Sequence, residues 1–486
     1  MAGRIENAIR QTVSVGVLKL AAFNRARMPA PSAPHPYLSG LNAPMDSELT
    51  LTDLVVEGTI PPELDGRYLR IGPNPIRPPS AIEAHHWFVG DGMVHGLRLA
   101  GGRALWYRNR WVRSSAVSRA LGEPEAPGPR HFSDTVNTHV VAQAGKTWAL
   151  VEAGGYPVRL GDELQTLAHD NFDGSLRGSF SAHPHRHPTT GELHAICYEA
   201  TDPDHIRHVV IGVDGRVRRE EPIAVKHGPS VHDCMLTARH VLVLDLPVTF
   251  SMPALVAGYS FPYAWNPAHR ARVGVLALDA PGDSITWCDV DPCYVFHPAN
   301  AYETADGRIV LDVVAHATMF ANSRHGPDAE ATGFERWAID TAARRVGRRV
   351  VDATAQEFPR IDERFTGRAY RWAWCAGLQR VGGEAFVGAQ HLVRHDLQTG
   401  ARDLHDFGAG RHVGEFVFVP RHAEAAEGDG WLMGLVVDGA AQTTDFVILD
   451  AARFGGAPQA VVHLPHRIPA GFHGNWLPTV AAASPA

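Results

Sequence analysis

The chain has 486 residues, of which 45 % are hydrophobic and 20 % are charged, so its composition is that of a folded protein with a large core. Its formal net charge is −7, which does not suggest a positively charged surface for binding a nucleic acid, so no nucleic-acid partner is expected. No apolar run reaches the roughly 18 residues of a membrane span, which argues against an integral membrane protein.

Residues 4–27 are predicted to form an amphipathic helix, because their apolar residues recur at helical spacing. The helix carries five basic residues against one acid, Glu6. Such a helix can lie on a membrane surface, but it can also pack on the body of the protein or remain a frayed arm. Residues 28–47 are rich in Pro, Ser and Ala, as linkers are. We therefore expect a helix with a linker over residues 1–35 and a single domain over residues 36–486.

The start of the chain shows no clear signal peptide, because Lys19 interrupts its apolar residues and no cleavage site follows. The five cysteines form no CxxC pair, which is typical of reduced thiols in the cytosol. The expected location is therefore the cytoplasm, with membrane association left open by the N-terminal helix.

From about residue 50 onward, short β-rich runs alternate with tight turns such as Gly-Gly and Asp-Gly, a pattern that indicates hairpins. Such regular strands predict an all-β fold, either a β-propeller or a large sandwich. A four-stranded blade takes roughly 40 to 60 residues, so the length suits about six to eight blades. No sequence repeat fixes the blade number.

Four longer stretches interrupt the β pattern and are predicted to be non-strand insertions that cap one face of the fold. They span residues 113–135, 249–270, 318–332 and 352–372. The second is unusually apolar for a loop, so it is expected either to line a hydrophobic tunnel or to form a buried helix.

Four short stretches each place one histidine beside a predicted strand or turn: His183, His232, His297 and His473. Their spacings of 49, 65 and 176 residues match no local metal motif, so they can meet only if the fold returns repeatedly to one axis. Taken singly, each is more often a surface or core residue than a ligand. Together, four neutral imidazoles suit Fe, Zn, Cu or Ni. An octahedral ion would keep two positions for O2 and water, which favours ferrous chemistry over a closed, cysteine-rich zinc site.

Metal-binding imidazoles usually donate their second N–H to a carboxylate or a carbonyl oxygen. An acid in an apolar strand is costly unless it is paired, and Glu152, Glu357 and Glu415 lie in such contexts. Each could equally be partly exposed or belong to a structural salt bridge. Context alone does not select these three from 52 acidic residues.

Twelve runs of the sequence resemble the carotenoid cleavage oxygenase family and follow its order from about residue 36 to the end. They include GRYLRIGPNP (66–75), NTHVVAQAGKTWALVE (137–152), SAHPHRHPTTGEL (181–193), FHPANAYE (296–303) and PAGFHGNWLP (469–478). The resemblance implies an all-β, seven-bladed β-propeller with a helical and loop cap over an axial metal site. It also implies cleavage of a C=C double bond by O2 into two carbonyl products.

Carried over residue by residue, the resemblance assigns Fe(2+) to the four histidines and O2 as the co-substrate. It assigns the three glutamates to three of the four imidazoles, and it implies no further catalytic group and no organic cofactor. Another of these runs, VHDCMLT (231–237), contains Cys234 where many members of the family have an aromatic residue, and we interpret this cysteine as a packing residue.

The substrate prediction depends on Val151, because stilbene-cleaving members of the family carry a lysine immediately before the first of these glutamates. An apolar residue there favours a carotenoid or apocarotenoid, an apolar polyene, over a hydroxystilbene. Alternatives within the fold are cleavage of a lignostilbene or resveratrol-type stilbene and retinoid isomerisation. A carotenoid-binding propeller without catalysis is a further alternative, but retention of all seven site residues argues against it.

Overall fold

The computed structural model describes residues 16–328, 331–381 and 384–479. Over these ranges, seven antiparallel blades surround one axis, which confirms the predicted all-β, seven-bladed propeller. Two neighbouring blades are joined into one eight-stranded sheet by a single parallel bridge between Asp289 and Arg345.

The blades are numbered in chain order, and their strands are given from the innermost outward. Blade 1 contains Gly474–Pro478, Gly66–Pro73, Gly92–Ala100 and Arg103–Trp111, with Thr50–Leu51 at its edge. Blade 2 contains His139–Gln143, Lys146–Leu150, Val158–Leu160 and Thr166–His169. Blade 3 contains His185–Arg186, Leu193–Glu199, Asp202–Ile211 and Val217–Ala224. Blade 4 contains Cys234–Leu236, His240–Asp245, Arg272–Ala277 and Thr286–Asp289. Blade 5 contains Tyr294–Glu303, Ile309–His316, Ala331–Asp340 and Arg345–Asp352. Blade 6 contains Gln356–Arg360, Trp372–Val381, Glu384–Asp396 and Arg402–Asp406. Blade 7 contains Arg411–Pro420, Gly430–Asp438, Thr443–Asp450 and Ala460–Leu464, with Val55–Gly58 at its edge.

Helices are short and lie outside the blades. The α-helices cover residues 16–25, Ser115–Leu121 and Met252–Ala257. Single 3-10 turns cover Gly40–Asn42, Ile82–Ala84, Trp87–Val89, Gly282–Ser284, Glu363–Phe365 and Ala451–Arg453. A small hairpin pairs Val248–Phe250 with Tyr263–Trp265.

The last strand closes the ring. Gly474–Pro478 pairs with Gly66–Pro73 and so joins the end of the chain to its beginning. The approach is so close that a Cβ added at Gly66 would lie 2.5 Å from the Leu477 carbonyl oxygen, which explains the glycine at this point. Closure brings the innermost strands together around the axis, where residues far apart in sequence can meet.

Burial decreases from the middle strands of each blade to the outer strand. Gly430–Asp438 and Ile309–His316 are buried along almost their whole length, because adjacent blades cover both of their faces. In the outer strands, four of the five residues of Arg402–Asp406 and half of those of Arg345–Asp352 are exposed. The core therefore lies between the blades, with Trp148, Trp337 and other large side chains fully buried.

The insertions 352–372 and 249–270 both contain strands, so the prediction that they are non-strand stretches is wrong in part for each. Residues 352–372 contain Gln356–Arg360, which is the innermost strand of blade 6. Pro359 and a bulge between Glu357 and Arg360 disrupt the alternation by which strands are recognised, so the pattern was misread as a loop. The apolar insertion 249–270 contains the small hairpin and helix Met252–Ala257.

The described part of the predicted N-terminal helix is helical over residues 16–25, and residues 4–15 of that prediction lie outside the described residues. The helix packs on the insertion 249–270, where Asn24 Nδ2 donates to the Val256 carbonyl oxygen at 2.7 Å and Arg25 Nε donates to that of Gly258 at 2.6 Å. Within the described ranges, no helix is both long enough and apolar enough to cross a membrane.

Candidate metal centre

Four imidazoles meet on the propeller axis. Ligand atoms of His183, His232, His297 and His473 all lie within 4.8 Å of one another, and all four side chains are buried. His183, His232 and His473 stand just before the innermost strands of blades 3, 4 and 1, and His297 lies within that of blade 5. The structure thus brings together all four histidines selected from the sequence.

Three innermost strands of the ring are irregular next to His297, Glu357 and Glu415. The innermost strands of blades 5, 6 and 7 have register shifts around Pro298, between Glu357 and Arg360, and between Val413 and Phe416. A bulge breaks the alternation of a strand and re-aims the side chain beside it. At Phe358 the backbone even adopts a positive φ of 54°, which is uncommon for a residue other than glycine.

Three glutamates hold three of the four imidazoles. Nδ1 of His232 lies 2.8 Å from Glu152 Oε1, Nδ1 of His297 lies 2.6 Å from Glu357 Oε2, and Nδ1 of His473 lies 3.0 Å from Glu415 Oε1. Glu152 follows the second strand of blade 2, and the other two lie on the innermost strands of blades 6 and 7. Each blade therefore supplies one of the seven residues selected from the sequence.

These contacts decide which nitrogen can bind a metal. A carboxylate accepts the Nδ1 proton of His232, His297 and His473, so the Nε2 of each of these three presents a lone pair to the centre. Nε2 of His232 and Nε2 of His297 are only 3.2 Å apart, and Nε2 of His183 is buried with no hydrogen-bond partner among the described residues. A cation between lone pairs crowded in this way, away from water, would offset their repulsion, so the residues present fit a metal ion.

The surroundings of Glu357 and Glu415 favour the charged form of both carboxylates. Burial favours the protonated form of Glu357, but the charge and hydrogen bond of His297 outweigh burial and hold the pKa of Glu357 well below its usual value. Arg360 and His473 do the same for the pKa of Glu415. Burial, followed by the neighbouring imidazoles, lowers the pKa of His183 well below its usual value, so this imidazole is neutral and able to bind a metal.

Two cavities reach the centre. The first is an apolar cavity of about 870 Å³, whose wall includes Trp87, Phe88, Phe250, Phe261, Phe296 and Phe472. The second is a polar cavity of about 640 Å³, whose wall includes His185, Arg186, Asp233, Arg360, Glu363 and Arg364. The residues common to both walls are His297, Phe358 and His473, so the centre lies between an apolar and a polar compartment.

The cap borders the apolar cavity. Val17 and Leu18 of helix 16–25, Phe132 of insertion 113–135, and Met252 and Leu255 of insertion 249–270 all line it. The structure thus supports the tunnel interpretation of the apolar insertion, whose short helix is part of the wall.

Sequence reasoning missed several residues around the centre. His139 donates from Nδ1 to the Ala182 carbonyl oxygen at 2.7 Å, beside His183, and its Nε2 accepts from Asn475 Nδ2 at 3.0 Å. His316 shares Glu357 with His297, at 2.9 Å from Oε1. These contacts join residues that are dozens to hundreds of positions apart in the sequence, so no local sequence pattern predicts them.

Comparison with known proteins places the chain in a family. The family model described as retinal pigment epithelial membrane protein matches residues 42–478. A carotenoid cleavage oxygenase of Mycobacterium tuberculosis is 41 % identical, and the alignment covers 93 % of this chain and 99 % of that protein.

Solved structures of oxygenases have the same fold as this chain. The lignostilbene dioxygenase of Pseudomonas brassicacearum superposes with a TM-score of 0.83 at 27 % identity, covering 93 % of this chain and 100 % of that one. Cobalt-substituted Synechocystis apocarotenoid oxygenase gives a TM-score of 0.79 at 25 % identity, covering 90 % and 97 % of the two chains. The chain therefore belongs to the carotenoid cleavage oxygenase family and is an oxygenase of that family.

Proposed function

We propose that the four imidazoles hold one Fe(II) ion and that the enzyme cleaves a C=C bond of a carotenoid or apocarotenoid with O2. The observation that carries this proposal is the convergence of four imidazoles, with three carboxylates behind them, at the end of a large apolar cavity. One C=C bond and one O2 give two C=O groups, so the reaction balances without a further reductant.

Iron bound to these imidazoles would supply activation of O2, which imidazole-ligated ferrous sites perform. The protein's own groups have separate tasks. Glu152, Glu357 and Glu415 fix the orientation and tautomer of three imidazoles and offset part of the charge of the ion. The aromatic wall excludes water and positions one double bond beside the centre.

The walls of the cavity favour a polyene. Aromatic and aliphatic side chains dominate, and Val151 contributes an isopropyl group beside Glu152. An extended, rigid hydrocarbon gains affinity along the whole length of such a wall, whereas a phenol needs a polar partner for its hydroxyl group. The similarity to a carotenoid cleavage oxygenase supports this choice, and the similarity to a lignostilbene dioxygenase makes a stilbene the second candidate.

A substrate panel tests the proposal. Iron-loaded enzyme would be incubated under O2 with β-carotene, several apocarotenals and resveratrol, and carbonyl products would be identified by mass spectrometry. We expect aldehydes from the polyenes, in pairs whose masses locate the bond, and no benzaldehydes from resveratrol. Isomerised substrate without scission would indicate a retinoid-type isomerase, and bound but unchanged carotenoid would indicate a binding protein. Either of these results, or cleavage of resveratrol alone, would reject the polyene cleavage reaction.

We also propose that the cap contacts a membrane, where apolar polyenes reside. On helix 16–25, Leu20 and Phe23 are 46 % and 52 % exposed, and the helix borders the apolar cavity. Basic side chains beside such apolar ones suit an anionic bilayer surface.

Replacing Leu20 and Phe23 together with glutamate should weaken flotation with anionic liposomes several-fold, because burial of both side chains in the bilayer is lost. The matched control is Leu404→Glu, which removes a 47 % exposed side chain from the outer strand of blade 6. Flotation of the double variant equal to that of the control would reject a membrane role for this helix.

Two further proposals concern organisation. Residues 36–486 are proposed to act as a single β-propeller oxygenase domain to which residues 1–35 add a helix and a linker. A reducing, cytoplasmic setting is proposed on the ground that Cys197, Cys234, Cys288, Cys293 and Cys375 are all buried free thiols.

A further inference from the structure

The fourth imidazole of the centre is supported differently from the other three. Nδ1 of His232, His297 and His473 lies 2.6–3.0 Å from a glutamate oxygen. Nδ1 of His183 instead faces Oδ2 of Asp233 at 3.7 Å. This distance is too long for a direct hydrogen bond, but it is short enough for charge attraction or for a bridging water.

Asp233 is itself held in place. Its Oδ1 accepts a hydrogen bond from Nε2 of His185 at 2.7 Å and from the backbone N–H of Cys234 at 2.6 Å. Its side chain is 3 % exposed. Two donors on one oxygen fix the carboxylate and leave Oδ2 directed at His183.

The backbone of His183 is fixed independently. Its N–H donates to Ser181 Oγ at 3.0 Å, and the preceding carbonyl, that of Ala182, accepts the Nδ1 proton of His139 at 2.7 Å. These contacts place the Cα atom but do not set the rotation or the tautomer of the ring. Both His183 and Asp233 line the polar cavity, so water can reach both side chains.

We propose that Asp233 is a fourth carboxylate of the centre, a positioning residue that holds the Nδ1–H tautomer of His183 and so leaves Nε2 for the metal. His185 positions Asp233 in turn. The longer distance makes His183 the least tightly held of the four imidazoles. Because this role depends on the metal site proposed above, its test measures metal binding by the wild-type protein and by variants separately.

The test uses Asp233→Asn. An amide can still accept from His185, but its N–H group would face Nδ1 of His183 and favour the Nε2–H tautomer, which cannot bind a metal through Nε2. Titration of the metal-free protein with Co(II), against a competing chelator, gives the dissociation constant and the ligand-field spectrum. We expect about a tenfold loss of affinity, the lower end of the range for outer partners of a metal ligand, and an altered spectrum.

Asp445→Asn is the matched control, since it makes the same change beside a histidine, where Asp445 Oδ1 accepts from Nδ1 of His463 at 2.7 Å, and Asp445 lies outside both cavity walls. We expect its affinity and spectrum to equal those of the wild type. Asp233→Asn with wild-type affinity and an unchanged spectrum would overturn the assignment. Failure of the wild type to bind Co(II) or Fe(II) would instead reject the metal site itself, so the two failures are distinguishable.

A second variant provides the test if Asp233→Asn does not fold. If circular dichroism shows that metal-free Asp233→Asn is unfolded, His185→Ala replaces it, because that variant keeps the carboxylate and removes one of its two donors. We then expect a smaller loss of affinity, about two- to threefold, with a spectral change of the same kind. Affinity and spectrum identical to the wild type would again overturn the role of Asp233.

Discussion

Replacing His297 with alanine should abolish iron binding and turnover together. The substitution removes one of four imidazoles, and its Nε2 is the one that lies 3.2 Å from Nε2 of His232. It also leaves Glu357 with only part of its hydrogen bonding, since His316 remains at 2.9 Å. Loss of a ligand must exceed the 10- to 100-fold effect of losing an outer partner, so we expect at least about a 100-fold fall in turnover. Metal analysis and O2 consumption measure the two effects.

His240→Ala is the control for that substitution. His240 also donates from Nδ1 to a glutamate, Glu303, at 2.9 Å, but it lies on the second strand of blade 4 and outside both cavity walls. Iron content and turnover of this variant should stay near those of the wild type. Full iron and full activity in His297→Ala would show that the ligand assignment is wrong, and retained carotenoid binding without activity in the wild type would favour a binding protein.

Glu357→Gln should lower iron affinity by about 10- to 100-fold, with a parallel fall in turnover at limiting iron. The carboxylate accepts from His297, from His316 and from the Phe358 backbone N–H, and it is fully buried. An amide cannot accept all three, and its own N–H group would displace the proton either from Nδ1 of His297 or from Nε2 of His316. The dissociation constant for Fe(II), measured anaerobically against a chelator, checks the effect.

Glu303→Gln provides the matching control, because it changes the same chemical group beside the same kind of imidazole away from the centre. It should leave the affinity for Fe(II) unchanged. An affinity of Glu357→Gln equal to that of this control would mean that Glu357 supports the fold rather than the metal.

Local sequence signals predicted the strand-rich fold, and the family resemblance predicted the blade number and the seven residues at the centre. The spacing of the four histidines does not by itself predict that they meet, because their convergence depends on closure of the ring by Gly474–Pro478. The strand Gln356–Arg360 was missed since a bulge and a proline hide its alternation.

The hydrogen bonds that support the four imidazoles could not be predicted from the sequence either, because their partners are far apart along the chain. His139 meets Asn475 across more than 300 residues of sequence, and Asp233 meets His185 across 48. A histidine that binds a carbonyl oxygen and one that binds a metal have the same local sequence signals. Only the hydrogen-bond partners of both ring nitrogens separate them, and these partners require coordinates.

The position of His473 directly before the closing strand ties the centre to closure of the ring. A chain in which Gly474–Pro478 is detached from Gly66–Pro73 keeps the other three histidines on their blades, but the fourth imidazole loses its fixed position. Pairing between segments so far apart in sequence forms late in folding, because the entropy of closing so long a loop opposes it. The complete set of four imidazoles is therefore expected to assemble only in the last step of folding, when the ring closes.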